Sequence, residues 1–85
     1  MRRSIDDALD DHPPDDSERP PVSWAVALSD DCDACGEGEL RVVLTLEEAG
    51  RAGLGIVAHL SPDTARRLRR AIADALREIG EPSGA

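Results

Sequence analysis

The sequence contains no phenylalanine, tyrosine or lysine, and Trp24 is its only aromatic residue. Proteins that bind single-stranded nucleic acids without sequence preference stack bases on several aromatic side chains, so that class is excluded. The ten basic residues, all arginines, are outnumbered by eighteen acidic ones, which gives a net charge of −8. This excess of acid excludes a basic DNA-coating protein and argues against nucleic acid as a partner.

Long apolar runs are also missing. No run approaches the roughly 18–20 residues that a membrane span needs, so we expect no integral membrane protein and no membrane partner. Arg2 and Arg3 are not followed by an apolar segment, so no export signal is predicted. A cytoplasmic location is therefore the expectation. Two cysteines in a cytoplasmic chain favour reduced thiols or a metal over a structural disulfide.

The negative charge is concentrated at the start of the chain. Residues 1–39 carry twelve acids and three arginines, a net −9, whereas residues 40–85 carry a net +1. With four prolines and seven acids, residues 1–21 are predicted to be a disordered acidic arm. Within it, residues 4–9 have the pattern of a short helix, under two turns long, that would fray or dock on a partner. The chain then divides into this arm, a folded domain at 22–80 and a flexible tail at 81–85.

Three segments alternate apolar and polar or small residues with a period of two, which predicts β-strands at 22–29, 40–46 and 54–60. Glycines in the two connections are typical of turns. A helix is predicted from Pro62 to Ile79, with Ser61 as its N-cap and Gly80 as its stop. The apolar residues of this helix recur every three or four positions: Ala65, Leu68, Ile72, Ala75, Leu76 and Ile79.

This order predicts an α+β fold in which a three-stranded antiparallel meander has the C-terminal helix packed on one face. The predicted core lies between the sheet and the helix: Trp24, Val26, Leu28, Val42, Leu44, Leu46, Ile56, Ala58 and Leu60. The other sheet face carries small or apolar residues that include Ala25, Val43 and Val57. Either this face is solvated or, as we prefer, a second copy of the chain buries it, since a domain of about 59 residues is near the lower size limit for folding alone.

Cys32, Cys35 and Gly36 form a Cys-x-x-Cys-Gly motif in the first connection, residues 30–39, which we call the cysteine loop. The motif resembles the knuckle of zinc ribbons, in which a tight turn brings two thiolates to one ion. In a meander this loop lies at the same end of the sheet as the end of the third strand, so His59 is predicted to lie near it. A fourth ligand would come from one of three sources: Asp33, His12 or a residue of a second copy.

Free thiols and a redox-active pair are the alternatives to metal. A reactive thiolate needs positive surroundings. Five acids flank the pair and are expected to raise the pKa of its thiols while favouring a bound cation: Asp30, Asp31, Asp33, Glu37 and Glu39. If the cysteines have a function rather than being simple free thiols, metal binding is therefore preferred over dithiol exchange.

Arg66, Arg70 and Arg77 lie on the helix largely off its apolar face, within a segment (63–77) of net charge +3. They are candidate partner-binding residues that would bind phosphate or carboxylate groups. The alternative is that these arginines simply form a solvated helix face. No phosphate loop, dinucleotide motif or nucleophile motif is present, so an enzyme is not predicted.

From Trp24 to Ile79 the layout resembles the small bacterial biofilm-regulatory proteins of the BssS type. Those proteins share a tryptophan in the first strand and a Leu-(Ser/Thr)-x-x-x-Ala-Arg start to the final helix. The matching residues here are Trp24, Leu60, Ser61, Ala65 and Arg66. The resemblance implies a small non-enzymatic regulator and transfers no site residue.

We therefore expect a small bacterial interaction or regulatory module that acts as a homodimer or on another protein. The alternatives are a zinc-knuckle domain, an acidic decoy that occupies a nucleic-acid-binding protein, and a thiol oxidoreductase, in that order.

Overall fold

The protein is described from a computed structural model, which covers residues 1–51 and 53–84. It has an α+β fold in which a four-stranded antiparallel sheet with strand order β1-β2-β3-β4 is followed by one helix. The elements are β1 (Arg2–Leu9), β2 (Val22–Ser29), β3 (Arg41–Glu48), β4 (Ile56–Leu60) and α1 (Pro62–Glu78). The predicted antiparallel meander and C-terminal helix are confirmed, but the sheet has one more strand than predicted.

The additional strand is β1, which lies inside the segment predicted to be disordered. The disordered arm at 1–21 is not shown, and the short helix considered for residues 4–9 is wrong, because residues 2–9 pair along the whole length of β2. All eight side chains of β1 are exposed. The strand is therefore held mainly by its backbone hydrogen bonds, which leave no apolar pattern in the sequence.

A β-bulge at Ile5 also hides β1 from sequence analysis. Ser4 pairs with Ala27 and Asp6 pairs with the next residue along β2, Val26, so Ile5 is an extra residue in the ladder. An inserted residue shifts every later side chain to the opposite face, and the period of two that identifies a strand is lost.

Both ends of β1 are fixed by further hydrogen bonds. At one end the N-terminal ammonium of Met1 donates to the carboxylate of Asp30 at 2.5 Å, and the amide of Asp30 donates to the Met1 carbonyl at 3.2 Å. At the other end the amide of Asp10 donates to the carbonyl of Val22 at 2.8 Å. These bonds explain how a strand without buried side chains remains in register.

The last strand is shorter than predicted. It begins at Ile56 rather than at Leu54, because the amide of Leu54 donates to the carbonyl of Arg51 in the preceding turn. Gly55 follows that turn in a crowded position, where a Cβ atom would lie 2.8 Å from the carbonyl oxygen of Leu46 and 2.8 Å from Glu47 Cβ. Only glycine fits there without displacing β3.

The helix begins at Pro62 as predicted and ends at Glu78, one residue before the predicted Ile79, which is the C-cap. The hydroxyl of Ser61 accepts the amide of Thr64 at 3.2 Å, and Pro62 occupies the first turn. At the other end Gly80 has a positive φ of 79°, its amide donates to Arg77, and the amide of Glu81 donates to Leu76. This pair of bonds is a Schellman motif, which favours glycine at the left-handed position.

Few side chains of the described residues are buried. Among the described residues, Val43 at 1% exposed is the only buried hydrophobic residue, and Ser29 at 5% is the only buried polar one. The predicted core residues do share the helix side of the sheet, but they are half-buried or exposed. The reason is that, within the described chain, α1 contacts β3 and β4 alone and has no buried residue of its own.

We expect the amides of β1 that bond to β2 to exchange with deuterium more slowly than an unstructured peptide of the same sequence, because breaking them requires separation of the two strands. Hydrogen exchange read by mass spectrometry or NMR over residues 2–9 measures this. Exchange at the intrinsic rate across the whole segment would instead match a disordered arm.

Candidate metal centre

The cysteine loop connects β2 to β3 through two successive turns. The amide of Gly36 donates to the carbonyl of Asp33 at 3.3 Å, and the amide of Glu39 donates to the carbonyl of Gly36 at 3.2 Å. Gly36 has a φ of 119°, a value that side-chain-bearing residues rarely adopt. The turns place Cys32 and Cys35, both free thiols and both partly exposed, on the same side of the loop as β4.

His59 reaches the same place from the end of β4. It pairs with Val43, so its side chain lies on the sheet face opposite the helix. Ser29, Arg41 and Leu60 mark the same end of β2, β3 and β4 in the register of the sheet. The meander thus brings His59 to the cysteine loop, as the sequence predicts.

The three side chains form a group with the dimensions of a zinc site. One ligand atom from each of Cys32, Cys35 and His59 lies within 4.8 Å of the other two, and Cys35 Sγ is 3.4 Å from His59 Nδ1. Tetrahedral Zn²⁺ with bonds of about 2.3 Å to sulfur and about 2.0–2.1 Å to nitrogen holds such a pair about 3.5 Å apart. The observed sulfur–nitrogen distance therefore needs almost no adjustment.

The pKa of the Cys32 thiol is lowered, which is the opposite of the prediction from the flanking acids. The largest cause is a hydrogen bond from the backbone amide of Cys35, followed by one from the Cys35 side chain, and the amide of Ala34 adds another. The charge of Asp33 acts in the predicted direction and raises the pKa, but it is outweighed. Amides that point at a sulfur stabilise its thiolate form, which is the form that binds metals.

The fourth ligands considered from the sequence are not part of the group. Neither Asp33 nor His12 belongs to a set of ligand atoms this close together in the described chain. His12 is engaged elsewhere, since its Nε2 lies 2.8 Å from Asp16 Oδ2, and this contact lowers the pKa of Asp16. Within the described residues, one chain therefore offers three candidate ligand atoms that lie this close together.

Acidic residues surround the centre and add negative potential. The hydroxyl of Ser29 donates to Asp31, which lowers the pKa of that carboxyl group and keeps it ionised. Glu39 lies 3.7 Å from Arg41, and this arginine neutralises part of the charge. The remaining field favours a divalent cation.

The candidate partner-binding residues lie in two places. Arg66, Arg70 and Arg77 line one wall of a cleft between α1 and the sheet. On the opposite sheet face Ala25 is half-buried and Val57 is 50% exposed, but Val43 is buried within the single chain. The three arginines therefore lie beside apolar residues in the cleft. Val43 is not accessible to a partner, because it is buried within the single chain.

No protein-family model, curated protein or solved structure matches the chain. Within the described residues no helix has the length and apolar character needed to cross a bilayer.

We expect Cys32 to react with iodoacetamide at lower pH in the folded, metal-free chain than in concentrated urea, where its pKa returns to about 9. A lowered pKa means that the unfolded chain binds more protons. Stability therefore rises with pH between the folded and unfolded pKa values, and it is lost as pH falls through the folded value. Peptide mapping of the alkylated thiol against pH measures the shift. Coincident profiles in the two conditions would contradict the N–H···S bonds.

We expect Gly36→Ala to weaken metal binding by about tenfold more than Gly38→Ala, because both positions have a positive φ but only at Gly36 would the added Cβ also clash with a neighbour. A Cβ at Gly36 would lie 2.9 Å from Glu39 Cγ and would open the turn that holds Cys35. Gly38→Ala is the matched control, because Gly38 also has a positive φ, of 74°, but no atom lies within 4 Å of its Cβ position. Titration with a zinc indicator measures both affinities. Equal losses in the two variants would show that the clash at Glu39 is unimportant.

Proposed function

We propose that this chain is a small, non-enzymatic zinc-binding module in which Cys32, Cys35 and His59 hold the ion. The observation that carries this is the convergence of three ligand atoms, from a loop and from a strand 24 residues further along, within 4.8 Å. Two thiolates and an imidazole suit zinc and other borderline or soft ions, and they do not suit calcium or magnesium, which prefer oxygen ligands.

The ion would act as a structural clamp. It would join the cysteine loop to β4 and close the sheet face on which Val43 is buried. A small domain with little buried apolar surface commonly needs such a clamp, and the free energy of metal binding then adds to the free energy of folding. A clamp of this kind supports an interaction or regulatory module better than an enzyme.

A reducing, cytoplasmic environment is consistent with this proposal, because it keeps both thiols free for the metal. The open fourth position would be filled by water or by a ligand from outside the chain. Structural zinc sites are normally four-coordinate. A partner that supplied the fourth ligand would therefore bind the metal and the chain together.

Metal analysis of the purified chain tests the proposal. Protein prepared without chelators should carry one zinc ion per chain, and the ion should be lost in Cys32→Ser and Cys35→Ser. The chain offers a matched pair of histidines: His59→Gln should lose at least tenfold in zinc affinity, whereas His12→Gln should bind normally because His12 contacts Asp16 instead. Inductively coupled plasma mass spectrometry and indicator competition provide both readouts.

Zinc should also raise the thermal unfolding temperature of the native chain but not that of the His59 variant, since a ligand that binds only the folded state stabilises it. Absence of metal from the native protein, or equal affinities of the two histidine variants, would overturn the proposal. Insulin reduction that depends on Cys32 would point instead to a redox-active pair.

A further inference from the structure

The helix side of the sheet has a cleft and several exposed apolar side chains. Between α1 and the strands lies a cleft of about 660 Å³ with an apolar floor and an arginine-lined wall. Beyond it, Trp24, Leu46 and Ile56 form one cross-strand row, and Ile56 is 77% exposed. On the helix, Ile72 is 56% exposed, and Leu68 and Ile79 are also exposed on the same apolar stripe. Exposed apolar surfaces of this kind mark an interaction site.

The chain exposes more surface than a compact monomer of its size. The chain has an accessible surface of 6661 Å², whereas a folded monomer of this mass exposes about 4,900 Å². Its radius of gyration is 15.0 Å, against about 12 Å for a compact chain of this length. The surplus, roughly 1,800 Å², includes the exposed side chains of β1 as well as the helix side of the sheet. Its size is comparable to the area of about 1,000–2,500 Å² that each subunit of an obligate homodimer buries.

We propose that a second copy of this chain covers the helix side of the sheet, where the cleft and the exposed apolar row lie side by side. In the dimer, the exposed stripe of each helix (Leu68, Ile72 and Ile79) packs on the exposed row of the partner's sheet (Trp24, Leu46 and Ile56). Such an interface is self-complementary, as two-fold symmetry requires, because each copy supplies both surfaces. The inference is independent of the zinc proposal, since the metal ligands lie on the opposite face of the sheet.

The charges of the chain also fit a second copy. Residues 63–77 of the helix carry a net +3. Strand β1 is neutral, with two arginines and two aspartates, but the connection that follows it, residues 10–21, carries five acids and one arginine and makes the end of this edge acidic. Within one chain the helix contacts β3 and β4, and β1 lies at the far edge of the sheet. A helix that crosses to the helix side of the partner's sheet would bring its arginines toward this acidic edge.

The proposed interface is on the helix side of the sheet, whereas the sequence favours an interface on the outer face. That prediction placed the second copy on the outer face, at Ala25, Val43 and Val57. Val43 is already buried within one chain, and the cysteine loop reaches this face because Cys35 contacts His59 beside it. The larger unfilled surface is on the helix side.

Sedimentation equilibrium of the zinc-supplied, reduced chain tests the proposal, because the reductant removes disulfide-linked pairs. The expected mass is twice 9.1 kDa. Ile56→Asp and Ile72→Asp should each weaken the dimer by about 100-fold or more, because the lost burial counts twice per dimer. Val57→Asp is the matched control, since Val57 is the next residue along β4, is also exposed, and faces the other side of the sheet.

Circular dichroism and zinc stoichiometry of each variant show whether its monomer remains folded. If Ile56→Asp in β4 does not fold, Ile72→Asp on the helix still tests the interface. A folded Ile72→Asp monomer beside a dimeric Val57→Asp supports the proposal. A strictly monomeric native chain overturns it. So does a dimer that Val57→Asp weakens as much as Ile56→Asp and Ile72→Asp, which would place the contact on the outer face.

Salt dependence tests the charge argument separately. Arg66→Gln combined with Arg70→Gln should weaken the dimer at low ionic strength and have little effect at high ionic strength, where the attraction is screened. An equal loss at both ionic strengths would overturn the placement of the helix near the acidic edge.

Discussion

The antiparallel pairing of β3 with both β2 and β4 is the constraint on which the other features depend. It places the ends of β2 and β4 at one end of the sheet, and this is what brings the cysteine loop to His59. It also gives each strand two different faces. One face carries His59, the candidate metal ligand from β4, and the buried Val43, and the other carries the apolar residues below the helix. A slip of one residue in this register would exchange the faces and separate the ligands.

The molecule has little interior for a folded chain of its length. In the described part of the chain, the helix contacts β3 and β4 alone and one apolar side chain is buried, which does little to offset the loss of chain entropy. Two additional sources of stability are compatible with the geometry, namely an ion at Cys32, Cys35 and His59 and a second copy over the cleft. They act on opposite faces, so each closes a surface that the other leaves open.

Much of this arrangement follows from the sequence. The period of two identifies β2, β3 and β4, the caps at Ser61 and Gly80 set the ends of the helix, and the meander predicts that His59 lies near the cysteines. Strand β1 was missed because it is held by backbone bonds and interrupted by the bulge at Ile5. The pKa of Cys32 was predicted in the wrong direction because residue types reveal nearby charges but not the amides that point at a sulfur.

The bulge at Ile5 has a consequence for how the protein behaves in a crowded solution. β1 is an edge strand, and a regular edge offers free amides and carbonyls as a template on which other chains can add strands. The inserted residue breaks the spacing of those groups, and an incoming strand would have to desolvate the exposed charged side chains of Arg2, Arg3, Asp6 and Asp7. The feature that conceals β1 in the sequence thus also makes this edge of the sheet a poorer template for the addition of further strands.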